Sequence, residues 1–205
     1  MNQIALPFDW PAPENAESFI VTAANRLAVD GVDRPASWPV RAAILTGPRK
    51  SGRSLLGRIF AAKTGGTLID DAELHKETDL FHRWNLAQED RRPLLIVALL
   101  PPPVWKLRLP DLASRLSATP VFTLEEPDDM LCRMLLEKQF ARRGLQITPD
   151  TIAYIASRIE RSYVALMRVV DAIDTVALSQ HRAVTTRLAR AVLEEQHLIE
   201  EAEIG

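Results

Sequence analysis

The stretch Val40–Ser54 reads V-R-A-A-I-L-T-G-P-R-K-S-G-R-S, and its reading decides the fold. Ala42–Thr46 is a short apolar run of strand length. Gly47, Gly52, Arg53 and Ser54 follow at the spacing of a phosphate-binding loop, G-x-x-x-x-G-K-[ST], with Arg53 where that pattern has Lys. The spacing has a physical basis. A buried strand delivers the chain to a tight turn that glycine permits, with backbone N–H groups pointing inward. The next helix then brings its positive N-terminal end to the same spot. Arg keeps the charge but is larger, planar and forked, so the exchange is not neutral. The alternative is a strand–helix turn with no ligand, because short loop matches also arise by chance.

Downstream, Leu55, Leu56, Ile59, Phe60 and Ala62 mark the apolar face of a helix that packs on a sheet. Thr64–Gly66 ends it, and Thr67–Asp71 (T-L-I-D-D) follows as a strand closing on two carboxylates. One carboxylate of such a pair can hold a Mg²⁺-bound water while the other orients an attacking water. A turn at a strand end, where Asp is favoured anyway, is the competing account.

Leu80–Gln88 is helical in pattern, and Leu94–Leu100 is a continuous apolar run suited to a doubly covered strand, stopped by Pro101–Pro103. Leu109–Leu116 (L-P-D-L-A-S-R-L) opens a helix on Pro and Asp, and Pro120–Leu124 is a further short strand. Upstream, Ser18–Val29 begins apolar and turns helical from about Thr22. From Pro127 the pattern is helical throughout. Asp128, Thr148, Ser162 and Thr185 stand as starts, and Gly144 ends the first of four helices. The hinge between the two halves falls near Glu125–Pro127.

The chain has 205 residues, enough for one α/β domain with a helical appendage, and a formal net charge of −2 without a concentrated basic face. The single Cys132 excludes an intramolecular disulfide and fits a reducing cytoplasm. No signal peptide or membrane span is expected, since the longest apolar run, Leu94–Leu100, is far too short. His75, His82, His181 and His197 have no metal-ligand spacing with Cys132. Met1–Pro13 (M-N-Q-I-A-L-P-F-D-W-P-A-P) shows neither helix nor strand period. Gln3, Ile4, Leu6 and Phe8 read either as an extended peptide that docks in another protein's groove or as side chains folding back on their own domain.

Taken in order, these segments resemble the AAA+ module of the bacterial replication initiator DnaA, and more closely the Hda-like regulators of that initiator. F-I-V-T-A-A-N-R-L-A resembles the segment leading in on the adenine side, and G-P-R-K-S-G-R-S resembles the family's phosphate loop, where Arg also replaces Lys. L-I-D-D-A-E resembles the Walker B strand, and L-F-H-R-W-N the helix after it. L-P-D-L-A-S-R-L resembles the box bearing an arginine finger, and Q-I-A-L-P-F the sliding-clamp-binding peptide.

The resemblance implies an AAA+ parallel-sheet core over residues 14–125, a helical lid over 126–205 and a clamp-binding peptide over 1–13. It implies ADP or ATP, with Mg²⁺, held by Gly47, Pro48, Lys50, Ser51, Gly52, Arg53, Ser54, Leu55 and Asn25. Ser54 and Asp70 would be metal ligands, with Asp71 and Arg115 in catalytic roles. Gln3, Ile4, Leu6 and Phe8 would bind the clamp (the polymerase β subunit), and the initiator would be the second partner. No sequence-specific DNA binding and no membrane contact are implied, nor is a helix-turn-helix domain after the lid.

The departures from the family pattern are equally informative. Sixteen positions from Ser54 to Asp70 are too few for the strand–helix unit expected there, so the sheet should be one strand short. Leu99 and Leu100 stand where a polar sensor 1 residue belongs. Val164 sits nearest the sensor 2 Arg, with Arg168 and Arg161 the alternatives one turn away. Together these point to a regulator that binds ADP without turnover. The competing expectations are an autonomous P-loop ATPase and an adaptor with a vestigial pocket.

Overall fold

A computed structural model describes residues 19–198 except His181. Strand β1 (Ala42–Thr46) is buried at all five positions, as a continuous apolar run requires of a central strand. It pairs in parallel with β3 (Leu94–Val97) on one side and β4 (Val121–Thr123) on the other. β2 (Thr67–Ile69) pairs in parallel with β3, giving the order β2-β3-β1-β4. Among the described residues the sheet thus has four strands, and β2 follows directly on the helix after β1.

Alternate residues serve opposite faces of this sheet. Ala43 and Leu45 of β1, with Leu95 and Val97 of β3, face α1 (Ala23–Val32) and α2 (Arg53–Thr64), where Trp38 stacks on Phe60 at 5.6 Å. Ala42, Ile44, Leu94 and Ile96 face α3 (Glu77–Glu89) and α4 (Pro110–Ser117), packed on Leu80, Trp84, Leu112 and Leu116. The connection after β1 therefore leaves on one face, while those after β2 and β3 leave on the other. Adjacent strands whose connections diverge open a crevice at their carboxyl ends, the usual ligand position of open α/β sheets.

The C-terminal helices α5 (Asp129–Arg142), α6 (Pro149–Ala156), α7 (Tyr163–Gln180) and α8 (Thr186–Glu195) bury a core of their own around Leu136, Phe140, Ile155, Val169, Ile173 and Leu193. Each start is capped by the residue the sequence marks. Asp128 accepts from Leu131 N–H at 2.7 Å, Thr148 from Thr151 at 3.3 Å, Ser162 from Ala165 at 3.1 Å and Thr185 from Leu188 at 3.3 Å. Arg143 ties α5 to α7 through Asp171 and, at 3.4 Å, Asp174. No described helix is long and apolar enough to cross a membrane.

Two elements differ in extent from what the pattern suggests. β3 stops at Val97, leaving Leu99 and Leu100 exposed. α3 begins at Glu77 rather than Leu80, and the Glu77 carboxylate at its first position accepts the N–H groups of Arg108 and Leu109 at 3.0 and 2.6 Å. α6 ends at Ala156, and Ile159 is buried from the turn that follows.

Candidate functional site

The loop after β1 lies in the crevice. Gly47 (φ 148°) and Gly52 (φ 90°) hold backbone that L side chains avoid, and Lys50 at its tip also sits at positive φ, 67°. A Cβ on Gly47 would stand 2.7 Å from the Leu124 carbonyl oxygen and 2.9 Å from Leu124 Cβ. Gly47→Ala is therefore expected to combine backbone strain with a clash against backbone, costing roughly 2–4 kcal/mol. Gly65, also at positive φ (66°), meets nothing within 4 Å, so Gly65→Ala should cost only about 1 kcal/mol. Chemical denaturation of the two variants checks the order; equal losses would contradict it.

Among the described residues, cavities lie on both sides of the loop. The smaller, of about 120 Å³, lies between the loop, the Phe19–Ile20 segment and helices α5 and α7. Of the residues named from sequence, Asn25, Lys50, Ser51, Gly52 and Leu55 line it. The larger is an open cleft of about 540 Å³ bordered by Arg49, Lys50, Arg53, Asp71, Glu73 and Leu99. Gly47, Pro48, Ser54 and Asp70 line neither; Gly47 and Pro48 shape the turn between β1 and the loop.

Individual side chains show what this geometry can hold. Ser51 is buried, and its Oγ has no hydrogen-bond partner among the described residues. Leaving such a group unsatisfied costs about 1–3 kcal/mol, so a ligand oxygen or a water suits it. Asn25 is tied into the chain: its Oδ1 accepts from Thr22 N–H at 2.9 Å and its Nδ2 donates to Ile20 O at 2.8 Å. It thereby holds the Phe19–Ile20 wall of the cavity that it also lines. Phe19 in turn comes within 3.0 Å of where a Gly52 Cβ would stand.

On the cleft side, Arg53 donates to the Ala98 carbonyl at the end of β3. Ser54 Oγ donates to Asp70 Oδ1 at 3.0 Å, so the two expected metal ligands are adjacent. Asp71 N–H donates to the same oxygen at 3.1 Å, and the Asp71 side chain is exposed. Glu73, which sequence reasoning missed, accepts from Leu99 N–H where a polar sensor was expected. Among the described residues no cluster of three or more His, Cys, Asp or Glu could hold a metal ion. A hydroxyl–carboxylate pair is the kind of sparse protein ligation that Mg²⁺ takes alongside phosphate oxygens. The loop, its orphan hydroxyl, its cations and this pair fit a nucleoside polyphosphate.

Arg115 lies elsewhere. Its guanidinium rests over the rings of Phe81 at 4.6 Å and Trp84 at 4.9 Å, on the face of the sheet opposite α2, and it lines neither cavity. Arg115 thereby covers the core, since Trp84 is buried.

Tyr163 joins the two halves. Its hydroxyl donates to the Glu125 carbonyl at 3.0 Å. Burial pushes the Tyr163 phenol up to about 12 and the Cys132 thiol up to about 11, so both stay protonated at neutral pH. Glu126 is raised by burial first and then by Glu160. The folded chain therefore holds that proton more tightly than the unfolded chain. Its contribution to stability falls as pH rises from the ordinary Glu range through the raised value, and stays lost above it. Urea unfolding of Glu126→Gln should gain on the parent as pH rises from about 4 to 7; a gain that shrinks would contradict this. Gln3, Ile4, Leu6 and Phe8 lie outside the described residues.

Residues 129–193 match the family model described as "Hda, lid domain". The fold is similar to domain III of the Thermotoga maritima replication initiation protein DnaA, at TM-score 0.74 and 16% identity over 91% of this chain and 97% of that one. A replication initiator DnaA bound to AMPPCP and single-stranded DNA matches at TM-score 0.66 and 15% identity, covering 92% of this chain and 71% of that one. The Thermotoga maritima RuvB Holliday junction branch migration motor follows at TM-score 0.63 and 15% identity, covering 89% and 72%. At these identities the structures speak to fold, and the family match speaks to the lid region. Residues 129–193 therefore match an Hda-type lid, and they stand beside a core with the fold of DnaA domain III.

Proposed function

We propose that this chain regulates replication initiation by promoting hydrolysis of the ATP held by the initiator DnaA, from a position tethered on the sliding clamp. The lid match on a DnaA-like core carries this reading. The proposed division is a clamp peptide over 1–13, a core over 14–125 and a lid over 126–205. Gln3, Ile4, Leu6 and Phe8 are the clamp contacts. Arg115 is the finger that reaches a neighbour's nucleotide; its distance from both cavities of its own loop supports a target in trans.

The chain's own site holds ADP or ATP. Lys50, Ser51, Gly52, Arg53 and Leu55 line the binding path, and Ser54 with Asp70 would hold Mg²⁺, which supplies charge neutralisation to the phosphates when bound. Leu99 and Leu100 offer no polar group at the end of β3, which favours a structural nucleotide over turnover. The experiment is a single-turnover assay of DnaA-bound ATP, with clamp loaded on DNA and this chain added or omitted. Stimulation that requires both clamp and chain is expected; equal decay with and without the chain would overturn the reading. A second reading, an autonomous ATPase, draws on the Ser54–Asp70 contact. Steady-state ATP turnover by the isolated chain separates the two.

A further inference from the structure

The third lid helix turns an uncharged face to the smaller cavity. Tyr163, Leu166 and Met167 of α7 line it, and Val164 occupies the place where a cation was expected. The two alternatives on or beside that helix are engaged or turned away. Arg161 pairs with Asp129 at 2.9 Å, and Arg168 is exposed and lines neither cavity.

The first lid helix does what α7 does not. Leu131, Leu135, Lys138 and Arg142 of α5 follow one another at three- and four-residue steps and line the same cavity as one stripe. The stripe runs about 16 Å from Leu131 to Arg142 at 1.5 Å per residue, apolar at its start and cationic at its end. Lys50 enters from the opposite, core side. Among the described residues that line the cavity there are three cations and no carboxylate.

We propose that Lys138 and Arg142 of α5 supply the lid's positive contact to the phosphate groups of a bound nucleoside diphosphate, in place of any cation on α7. The proposal rests on the nucleotide-binding reading above and names the lid residues that serve it. Lys138 and Arg142 are one helical turn apart, where like charges repel. Burial and the neighbouring Arg142 hold the Lys138 ammonium below its ordinary range. An anion between them screens the repulsion. Contact from α5 also gives the nucleotide a grip on the lid. The same ligand would touch Lys50 and Ser51 of the core and α5 across the hinge that Tyr163 clasps.

Calorimetric titration of ADP and of adenosine tests this, on the parent and on Lys138→Met, Arg142→Gln, the double variant, Arg161→Gln and Arg168→Gln. Each α5 cation should be worth about tenfold in ADP affinity and the pair about a hundredfold, as for hydrogen bonds to charged groups. Adenosine, which lacks phosphate, should bind the double variant as it binds the parent. Arg161→Gln and Arg168→Gln should stay within about twofold, and Lys138→Arg, which keeps the charge, should retain most of the affinity. Thermal unfolding of each variant confirms that it is folded. A double variant that binds ADP like the parent overturns this proposal alone, as does an equal loss of ADP and adenosine. A large loss in Arg161→Gln or Arg168→Gln returns the role to α7. A parent that binds no ADP at all overturns this proposal and the nucleotide reading together.

Discussion

Arg115→Ala is expected to lower clamp-dependent hydrolysis of initiator-bound ATP by about 10³–10⁵, the range in which a trans-acting Arg stabilises a phosphoryl-transfer transition state. On the scale of 1.4 kcal/mol per tenfold that is roughly 4–7 kcal/mol. The resting place of the side chain sets the competing cost. Its guanidinium lies over Phe81 and Trp84, 4.6 and 4.9 Å from their centroids. Each such contact is worth about 0.5–1 kcal/mol at a partly exposed site. Leaving both rings to reach a partner costs about 1–2 kcal/mol, well under the gain at the transition state. The finger therefore wins if a phosphate is there to meet it.

The same arithmetic separates function from packing. Arg115→Ala should also destabilise the folded chain by about 1–2 kcal/mol, through lost cover on the two rings. Phe81→Leu removes one ring while leaving the guanidinium, so it should lose comparable stability and keep most of the stimulation. Arg115→Lys should recover the stability better than the rate, since a point charge does not reproduce the planar fork. Single-turnover decay of initiator-bound ATP, run beside urea unfolding, reads both effects. If Arg115→Ala stimulates like the parent, or if Phe81→Leu fails as badly, Arg115 is a packing residue and the regulator reading loses its mechanism.

The two-part architecture was legible because its signals are local. A central parallel strand is buried on both faces, so Ala42–Thr46 announced itself as an apolar run, and the loop followed from glycine spacing alone. The lid starts were legible for the same reason: Asp128, Thr148, Ser162 and Thr185 each satisfy a backbone N–H three residues on. What stayed hidden depends on partners distant in sequence. β3 ends at Val97 because its register with β1 runs out at Leu45, though the apolar run continues to Leu100. The contact that Glu77 makes at the start of α3 is with the N–H of Arg108, thirty-one residues away. Lys138 and Arg142 looked like any surface cations of a helix until the fold turned that face toward the loop. Asn25 bonds locally as well, to Thr22 and Ile20, while lining the same cavity.

Leu6→Ala combined with Phe8→Ala is expected to weaken clamp binding by roughly 10²–10⁴. Docking the peptide Gln3–Phe8 in a groove would bury both large apolar side chains, each worth about 1.5–3 kcal/mol. The sum, about 3–6 kcal/mol, converts at 1.4 kcal/mol per tenfold. Gln3→Ala should cost tenfold at most, because one hydrogen bond exchanged with water is worth only about 0.5–1.5 kcal/mol. The order of effects is itself informative: an apolar anchor loses little affinity between low and moderate salt, whereas a charge-led contact loses much. The competing account, in which Leu6 and Phe8 fold back on their own domain, predicts something different. Removing side chains buried within the chain would lower its melting temperature, by about 2–4 °C for each kcal/mol lost. Surface plasmon resonance of the full chain on immobilised clamp, paired with thermal unfolding, decides between them. Lost clamp binding at unchanged melting temperature supports the tether. A lowered melting temperature with clamp binding intact assigns the two residues to the chain's own core and leaves the proposed regulator without its anchor.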